Sequence, residues 1–262
     1  LSSGTYNAFL YDTLKEEKQE HHYKMVIGKF YAIWPIGASI GSIIGGYLAK
    51  ISLSFPVGLS LIPLLFAFIL TFMLKEPKYE KEKHKNILKH MFNSLKIVIH
   101  NKQLIILMIG GFLLMAFGET MHLLGPLFFK FKEMPIVLFG WITAFIFGFS
   151  SLGHYYSYAI SEKIGNKTTL LISVLGSPIF LIIATLTTKY YAILFFIIPS
   201  IFFGLRNPIL DHLINIEVSS SKRATIISIF NFSNNLGIAI FAPFIGYFAE
   251  LYTINTAFKI SA

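Results

Sequence analysis

Long apolar segments separated by short polar loops dominate the hydrophobic pattern of this chain. A helix needs about 20 apolar residues to cross the roughly 30 Å hydrocarbon core of a bilayer, and it satisfies its backbone hydrogen bonds internally. The pattern therefore predicts an all-α, polytopic transmembrane bundle. Seven full spans are predicted, at about Phe30–Ala49, Ser54–Leu74, Leu104–Phe129, Pro135–Ile160, Thr168–Thr187, Tyr190–Ile216 and Ala224–Ala249.

Partial spans are expected at both ends of the sequence. Leu1–Leu14 has the character of the end of an earlier span, and Asn255–Ala262 that of the first turns of a later one. We therefore expect an N-terminally truncated fragment whose last span is incomplete.

Ten residues at the start of the chain recur about two hundred positions later. Gly4, Asn7 and Leu10 align with Gly204, Asn207 and Leu210, and the apolar segments GSIIGGYLAK and APFIGYFAE that follow agree at the same spacing. Such an echo among apolar segments indicates a duplicated unit of membrane helices, an arrangement typical of transporters.

The repeat relates elements that are six spans apart, and an even shift preserves the orientation of each helix. It therefore predicts two six-helix halves related by a pseudo-twofold axis along the membrane normal, of which spans 4 to 12 are present. The predicted divisions are residues 1–75 for the rest of the first half, 76–102 for a linker and 103–262 for the second half.

The later part of the linker has an amphipathic helical pattern and is predicted to lie on the membrane surface. A regulatory, calmodulin-like site is the alternative there. The apolar face comprises Leu88, Met91, Phe92, Leu95 and Ile99.

Composition supports a membrane protein, with 55% hydrophobic and only 13% charged residues. The net charge of +9 does not indicate nucleic-acid binding, because lysine and arginine concentrate in alternate loops. This positive-inside bias predicts a multi-pass protein of the cell membrane with loops 13–29 and 76–102 in the cytoplasm. The chain has no cysteine, and no metal site or cofactor is predicted. We expect a monomer in the bilayer.

Ionisable residues inside spans are the main functional candidates, because a charge at the bilayer centre costs at least about 2.5 kcal/mol unless it is paired or hydrated. Glu119 is predicted to couple transport to protons or to form a structural hydrogen bond, with His122 one turn away. Counting the helical rise places Glu119 and Arg206 each about 25 Å from opposite membrane faces, so no direct ion pair is expected.

Three further patterns occur within spans. Gly37, Gly41 and Gly45, with Gly46 beside them, predict a helix face on which a neighbouring backbone packs closely. Asn231 and Asn235 form a polar stripe with Ser228, which serves either helix packing or substrate contact. The aromatic residues around His154 fit an interfacial belt at the cytoplasmic end of their span.

Several motifs together resemble the major facilitator superfamily of secondary transporters, particularly its drug-efflux-like members. SGTYNAFLYDTL resembles the end of the fourth span, and GSIIGG resembles the fifth-span antiporter signature, although Ser42 stands where the family usually has proline. YAISEKIGNK is similar to the family's cytoplasmic loop, and KRATIIS is similar to its entry to the eleventh span.

The resemblance implies roles for individual residues, because the fourth and tenth spans of the family border the central cavity. It makes substrate or gate residues of Tyr6, Asn7, Arg206 and Asn207. It also implies a cytoplasmic gate network in which Lys163 or Lys167 pairs with Asp211, while the partner of Asp12 lies in the absent first-half loop. The network comprises Asp12, Glu162, Lys163, Lys167 and Asp211.

These observations predict a secondary transporter that works by alternating access and exports drug-like or amphipathic compounds in exchange for protons. Proton-coupled uptake of a small metabolite or sugar is the alternative within the same fold. An intramembrane enzyme would need a clustered catalytic set at one depth, which the scattered polar residues do not supply. A non-transporting receptor also remains open, because fold alone does not fix function.

Overall fold

A computed structural model of the protein describes residues 2–49, 51–52, 54–73, 95–218 and 220–261, and within these ranges every regular element is helical. A short 3₁₀ turn at Glu20–His22 precedes the second helix, and residues 95–100 are also helical. The named helices are α1 (Ser2–Glu16), α2 (Tyr23–Ala49), α3 (Ser54–Leu59), α4 (Leu61–Thr71), α5 (Lys102–Leu123), α6 (Gly125–Phe131), α7 (Val137–Ile164), α8 (Asn166–Leu186), α9 (Lys189–Ile197), α10 (Pro199–Ile216), α11 (Ser220–Leu251) and α12 (Ile254–Ser261).

The predicted all-α, multi-pass architecture is confirmed. Six helical segments of the described residues are long and apolar enough to cross a membrane, including the nearly continuous pair α9 and α10. Helix α7 was also predicted to span and has 28 residues, but it is not among those six. Helix α7 packs most extensively against α2 and α10, and several of its polar residues are buried in these contacts.

The predicted amphipathic linker helix falls largely outside the described residues, which resume at Leu95. The described turn at residues 95–100 buries Val98 completely, and Asn101 then caps α5. The Asn101 side-chain oxygen accepts hydrogen bonds from the backbone N–H groups of Gln103 and Leu104, at 2.9 and 3.2 Å. The cap satisfies donors that the first turn of a helix leaves without partners.

The bundle has two distinct ends. The basic end carries the α1–α2 connection, the α7–α8 turn at Gly165 and the α10–α11 connection, while the opposite end carries the loops after α6 and α8. The α7–α8 turn uses a positive φ of 86° at Gly165, a conformation that glycine adopts without steric cost. A phenylalanine-rich core that includes Phe128, Phe196 and Phe258 holds the opposite end together.

The contacts between helices agree with the repeat in the sequence. We call α1 and α2 the first copy, and α10 and α11 the second copy. Helix α1 packs against α11 of the second copy, and α10 packs against α2 of the first copy. Reciprocal contacts of this kind are what a twofold axis between two equivalent units produces.

The tightest helix crossing joins α7 to α10 and depends on two glycines. A Cβ added at Gly204 would overlap the backbone carbonyl oxygen of Ser150, and one added at Gly153 would overlap the carbonyl oxygen of Ile201. Only residues without side chains allow backbones to approach this closely. The crossing fixes the position of α10, which carries Arg206 and Asp211.

The glycine face predicted for α2 does not have the predicted close neighbour. A Cβ at Gly37, Gly41 or Gly45 would meet nothing within 4 Å among the described residues. The close contact lies on the adjacent face instead, where a Cβ at Gly46 would approach Gly140 of α7 to 3.7 Å. Residues 42 and 46 face α7. The face that carries residues 37, 41 and 45 is rotated away from α7 by about 100° around the axis of α2, which is the angle between consecutive residues of a helix.

Candidate functional site

A cavity of about 600 Å³ lies between α2, α5, α7, α8 and α10. Three ionisable side chains, from Glu119, His122 and Arg206, reach its wall, and five aromatic side chains dominate the remainder. A mostly apolar cavity with a few converging polar groups is typical of a small-molecule site. The aromatic lining residues are Trp34, Phe117, Phe147, Phe196 and Phe203.

The expected separation in depth between Glu119 and Arg206 was too large, whereas the expectation that they form no direct ion pair agrees with the contacts of the described residues. Both side chains line the same cavity, and they are close enough for their charges to interact. Residues 102–131 form two helices about 45 Å long, so Glu119 lies about 18 Å from the end at Phe131 rather than at the far membrane face. Arg206 lies about 25 Å from the same end of the bundle, and a long arginine side chain spans much of the difference.

Arg206 is buried at the cavity wall. It is 5% exposed, and its Cζ atom lies 5.3 Å from the centre of the Phe203 ring. The neighbouring α5 residue is Gly118, where an added Cβ would lie 3.6 Å from the Nη2 atom of Arg206. The absence of a side chain at Gly118 therefore leaves room for the guanidinium beside Glu119.

His122 lies one turn beyond Glu119 and packs against the Phe147 ring, with 5.6 Å between ring centres. The helix is interrupted directly after this turn, because α5 ends at Leu123 and α6 begins at Gly125 with Pro126 in its first turn. Proline lacks an N–H donor and so cannot continue the hydrogen-bond ladder. The acid and the histidine thus lie beside a break in the backbone.

Below the cavity, towards the basic end, a polar cluster joins the two copies. The Tyr31 hydroxyl of α2 lies 2.8 Å from Asn7 Oδ1 of α1 and 2.5 Å from Asp211 Oδ2 of α10. Asn7 also hydrogen-bonds to the Asp211 side chain. The three side chains form a closed triangle in which two members belong to the first copy and one to the second.

The number of protons limits how this triangle can be bonded. The Tyr31 hydroxyl has one proton, so it cannot donate to both Asn7 Oδ1 and an ionised Asp211. Exchanging the oxygen and nitrogen of the Asn7 amide does not solve this, because two acceptors, the amide oxygen and the Asp211 carboxylate, would then face each other. A proton on Asp211 allows all three contacts to be hydrogen bonds, so the geometry favours a neutral carboxyl group when the copies are in contact.

Two ion pairs also connect helices at the basic end. Arg223 Nη1 lies 3.0 Å from Asp12 Oδ1, and the guanidinium stacks 3.7 Å from the centre of the Tyr11 ring. Burial lowers the pKa of the Arg223 guanidinium from its ordinary value, and the Asp12 carboxylate opposes this shift. Lys24 Nζ lies 3.0 Å from Glu162 Oε1 and joins α2 to α7.

The partners expected for this network are therefore corrected. Asp12 pairs with Arg223 of the second copy rather than requiring a residue of a first-half loop, and Asp211 contacts Tyr31 and Asn7 rather than Lys163 or Lys167. Lys163 and Lys167 are exposed beside the α7–α8 turn. Their sequence position next to an acid suggested a pair, but the turn directs that segment to the surface.

The remaining predicted residues lie in different environments. The side chain of Tyr6 is outside the described part of the structure, and Asn207 is half-buried next to Arg206 without lining the described cavity. Asn235 is exposed and donates a hydrogen bond to the backbone oxygen of Asn231 at 2.7 Å, a local contact within α11. This contact favours the packing interpretation of the polar stripe.

Several site residues were missed or misinterpreted by sequence reasoning. His154 is not part of an interfacial belt: it is 4% exposed, and its ring lies 5.8 Å from that of Tyr31 and 6.1 Å from that of Phe203. Tyr31 and Trp34 gave no signal among the many aromatic residues of the chain. The serines on α7 that alternate with His154 were the available hint of an interior helix.

No group of three metal-binding side chains occurs within the described residues.

Comparison with known proteins identifies one family. The model of the Major Facilitator Superfamily matches residues 123–262, which is slightly more than half of the chain and includes α10, α11 and most of the cavity-lining helices. Among curated proteins no match to the chain was found.

Proposed function

This chain belongs to the major facilitator superfamily of secondary transporters, and we propose that it exports a small amphipathic compound across the cell membrane in exchange for protons. The observation that carries the proposal is the cavity of about 600 Å³, in which aromatic side chains surround Glu119 and Arg206. An apolar lining suits the body of an amphipathic molecule, and an intramembrane acid suits a coupling proton.

Alternating access requires that contacts between the two halves form and break around a central site. The Asn7–Tyr31–Asp211 triangle and the Asp12–Arg223 pair join helices of different copies on the basic side of the cavity. Their presence supports a state closed at the basic end. Opening that end separates α1 from α11 and α2 from α10, so these contacts act as a gate.

We expect Glu119→Gln to abolish the dependence of transport on a proton gradient. The amide keeps the size and polarity of the side chain but cannot exchange a proton at accessible pH. Transport of a fluorescent amphipathic compound into or out of proteoliposomes, driven by an imposed pH difference, measures the effect. Efflux and uptake are distinguished in the same assay by the gradient direction that drives accumulation.

The matched control is Glu250→Gln, because Glu250 is an exposed acid of α11 outside the cavity. This control should keep the full response to the gradient. An unchanged response in Glu119→Gln would contradict proton coupling through Glu119.

We also propose that the basic end faces the cytoplasm, because lysine-rich loops are retained on that side. Lys167→Cys at the basic end should react with a membrane-impermeant maleimide only after cells are opened, whereas Thr188→Cys at the opposite end should react in intact cells. Both positions are exposed and the sequence has no other cysteine. The reverse labelling pattern would contradict this orientation.

A further inference from the structure

Arg206 presents hydrogen-bond donors to the cavity, and none of them has an acceptor among the described residues. It is 5% exposed, and in the described part of the chain it donates no hydrogen bond and lies in no ion pair; its contacts are the Phe203 ring and the charge of Glu119. A guanidinium carries five N–H donors in a planar fork. Because these donors face the cavity and are not among the fully buried atoms without a partner, an acceptor that enters the cavity can reach them.

Glu119 is the nearest acid but does not occupy the guanidinium fork. Their interaction is a charge–charge attraction across the cavity, without the direct contact that a bidentate pair would make. Gly118 of α5 lies beside Nη2 of Arg206 and lines the same cavity as both charged groups. The space between the two charged groups is therefore available to a ligand.

The rest of the lining defines the body of such a ligand. Phe203 lies under the guanidinium, and Trp34, Phe117, Phe147 and Phe196 supply further aromatic surface around the cavity. A planar anionic group fits the arginine fork, while an aromatic or aliphatic body fits the ring-lined remainder. An organic cation could interact with Glu119, but it would leave the arginine donors without acceptors and place a like charge beside them.

We infer that the transported compound is an organic anion, a carboxylate on an aromatic or other apolar body, whose acid group binds Arg206. This inference rests on the proposed transport function and narrows its amphipathic substrate to one charge type. It also connects the anion with the proton. When Glu119 is protonated, the negative charge that competes for Arg206 is removed, so an anion binds more tightly. For an anionic substrate this coupling moves anion and proton in the same direction, so it replaces the exchange proposed above by co-transport.

The pH dependence of binding involves the other titratable groups that face the site. His122 lies on α5 one turn from Glu119, and His154 of α7 packs against Phe203. Protonation of either histidine would also favour an anion. His122→Gln and His154→Gln therefore accompany Glu119→Gln, and only the Glu119 variant is expected to strengthen anion binding at neutral pH, because it alone removes a negative charge from the cavity.

A cysteine placed in the cavity gives a binding measurement that does not depend on transport. Ser200 lines the cavity, Ser200→Cys changes a single atom, and the sequence contains no other cysteine. The probes are 2-naphthoate and 2-naphthylmethylammonium, which share an aromatic body and differ in charge. The rate of labelling by N-ethylmaleimide is measured on the intact protein with increasing concentrations of each probe.

We expect 2-naphthoate to slow labelling of Ser200→Cys and the ammonium probe to leave it unchanged. Arg206→Gln should weaken naphthoate binding by about tenfold or more, and Arg206→Lys should weaken it less, because lysine keeps the charge but not the fork. Glu119→Gln should strengthen binding at neutral pH, which tests the inference even if both Arg206 variants fail to fold. Protection by the ammonium probe alone, or naphthoate protection that Arg206→Gln and Glu119→Gln leave unchanged, would overturn it.

The outcome is separable from that of the proposed function. Naphthoate that protects Ser200→Cys but is not moved in proteoliposomes would support the anion site and contradict transport through it. Gradient-driven movement of the ammonium probe without naphthoate protection would support transport and contradict the anion site.

Discussion

Gly204→Val should prevent α7 and α10 from crossing at their present distance and should be the most destabilising single substitution in the second half. The added side chain meets the backbone carbonyl of Ser150 and the backbone nitrogen of His154, neither of which can rotate away. Overpacking typically costs about 1–3 kcal/mol and occasionally more, and the upper end is expected here because two backbones must separate. Thermal unfolding of the purified protein in detergent, with Gly204→Ala as a milder step, measures the loss.

Gly37→Val is the matched control for this prediction. It places the same side chain on a glycine of a long membrane helix, but an added Cβ there meets nothing within 4 Å among the described residues. The unfolding temperature of Gly37→Val should stay close to that of the unmodified protein. Equal losses in Gly204→Val and Gly37→Val would mean that the α7–α10 contact is not responsible.

Arg223→Gln should have the largest effect on the basic end. Arg223 is 3% exposed, and it holds Asp12 while its guanidinium also donates to the backbone oxygen of Val218 at 3.1 Å. Removing one partner of a buried ion pair leaves the other charge poorly solvated, which typically costs about 3–5 kcal/mol. Because this pair joins α1 to α11, we expect both a lower unfolding temperature and a shift of the transport cycle towards the state open at the basic end.

The second ion pair of the same end supplies the comparison. Glu162 has a side chain that is 57% exposed, so its contact with Lys24 is screened by solvent. Glu162→Gln should therefore change the free energy of unfolding by about 0–1 kcal/mol. If the effects of Glu162→Gln and Arg223→Gln were equal, burial would not be the reason for the strength of the Asp12–Arg223 contact.

The double substitution Asp12→Asn with Arg223→Gln distinguishes the energy of the Asp12–Arg223 interaction from the effects of the other contacts that each residue makes. It should be less destabilising than Arg223→Gln alone, because the carboxylate that Arg223 contacts is then replaced by a neutral amide. Accessibility of a cysteine at the basic end, measured in each variant, reports the expected shift between open and closed states.

The helices themselves were predictable because their cause is local. Apolar length alone predicts a membrane span, and the two-hundred-residue echo predicts which helices are equivalent; the reciprocal contacts of α1 with α11 and of α10 with α2 agree with this. Apolar length does not show which face of a helix meets protein. The buried serines and His154 of α7 lie on such a face, against α2 and α10.

The site was only partly predictable. Glu119, His122 and Arg206 stood out because charge is costly in a bilayer, and all three line the cavity. Their mutual distance could not be obtained by counting residues, since helices longer than the bilayer and long side chains shift the depth of each charged group. The role of Tyr31 could not be predicted from the sequence, because no sequence pattern distinguishes a tyrosine that faces a carboxylate from one that faces lipid.

The sequence by itself determined an all-helical membrane protein, predicted which of its helices are equivalent, and identified the few charged residues within spans. Only the tertiary structure decided which residues meet: Arg223 with Asp12, Tyr31 with Asn7 and Asp211, and Arg206 with an open space beside Gly118. The physical reason is that insertion depends on the summed hydropathy of each segment, which is local, whereas pairing depends on helix rotation and crossing distance. Those are set by contacts such as Gly153 with Gly204, between segments far apart in the chain.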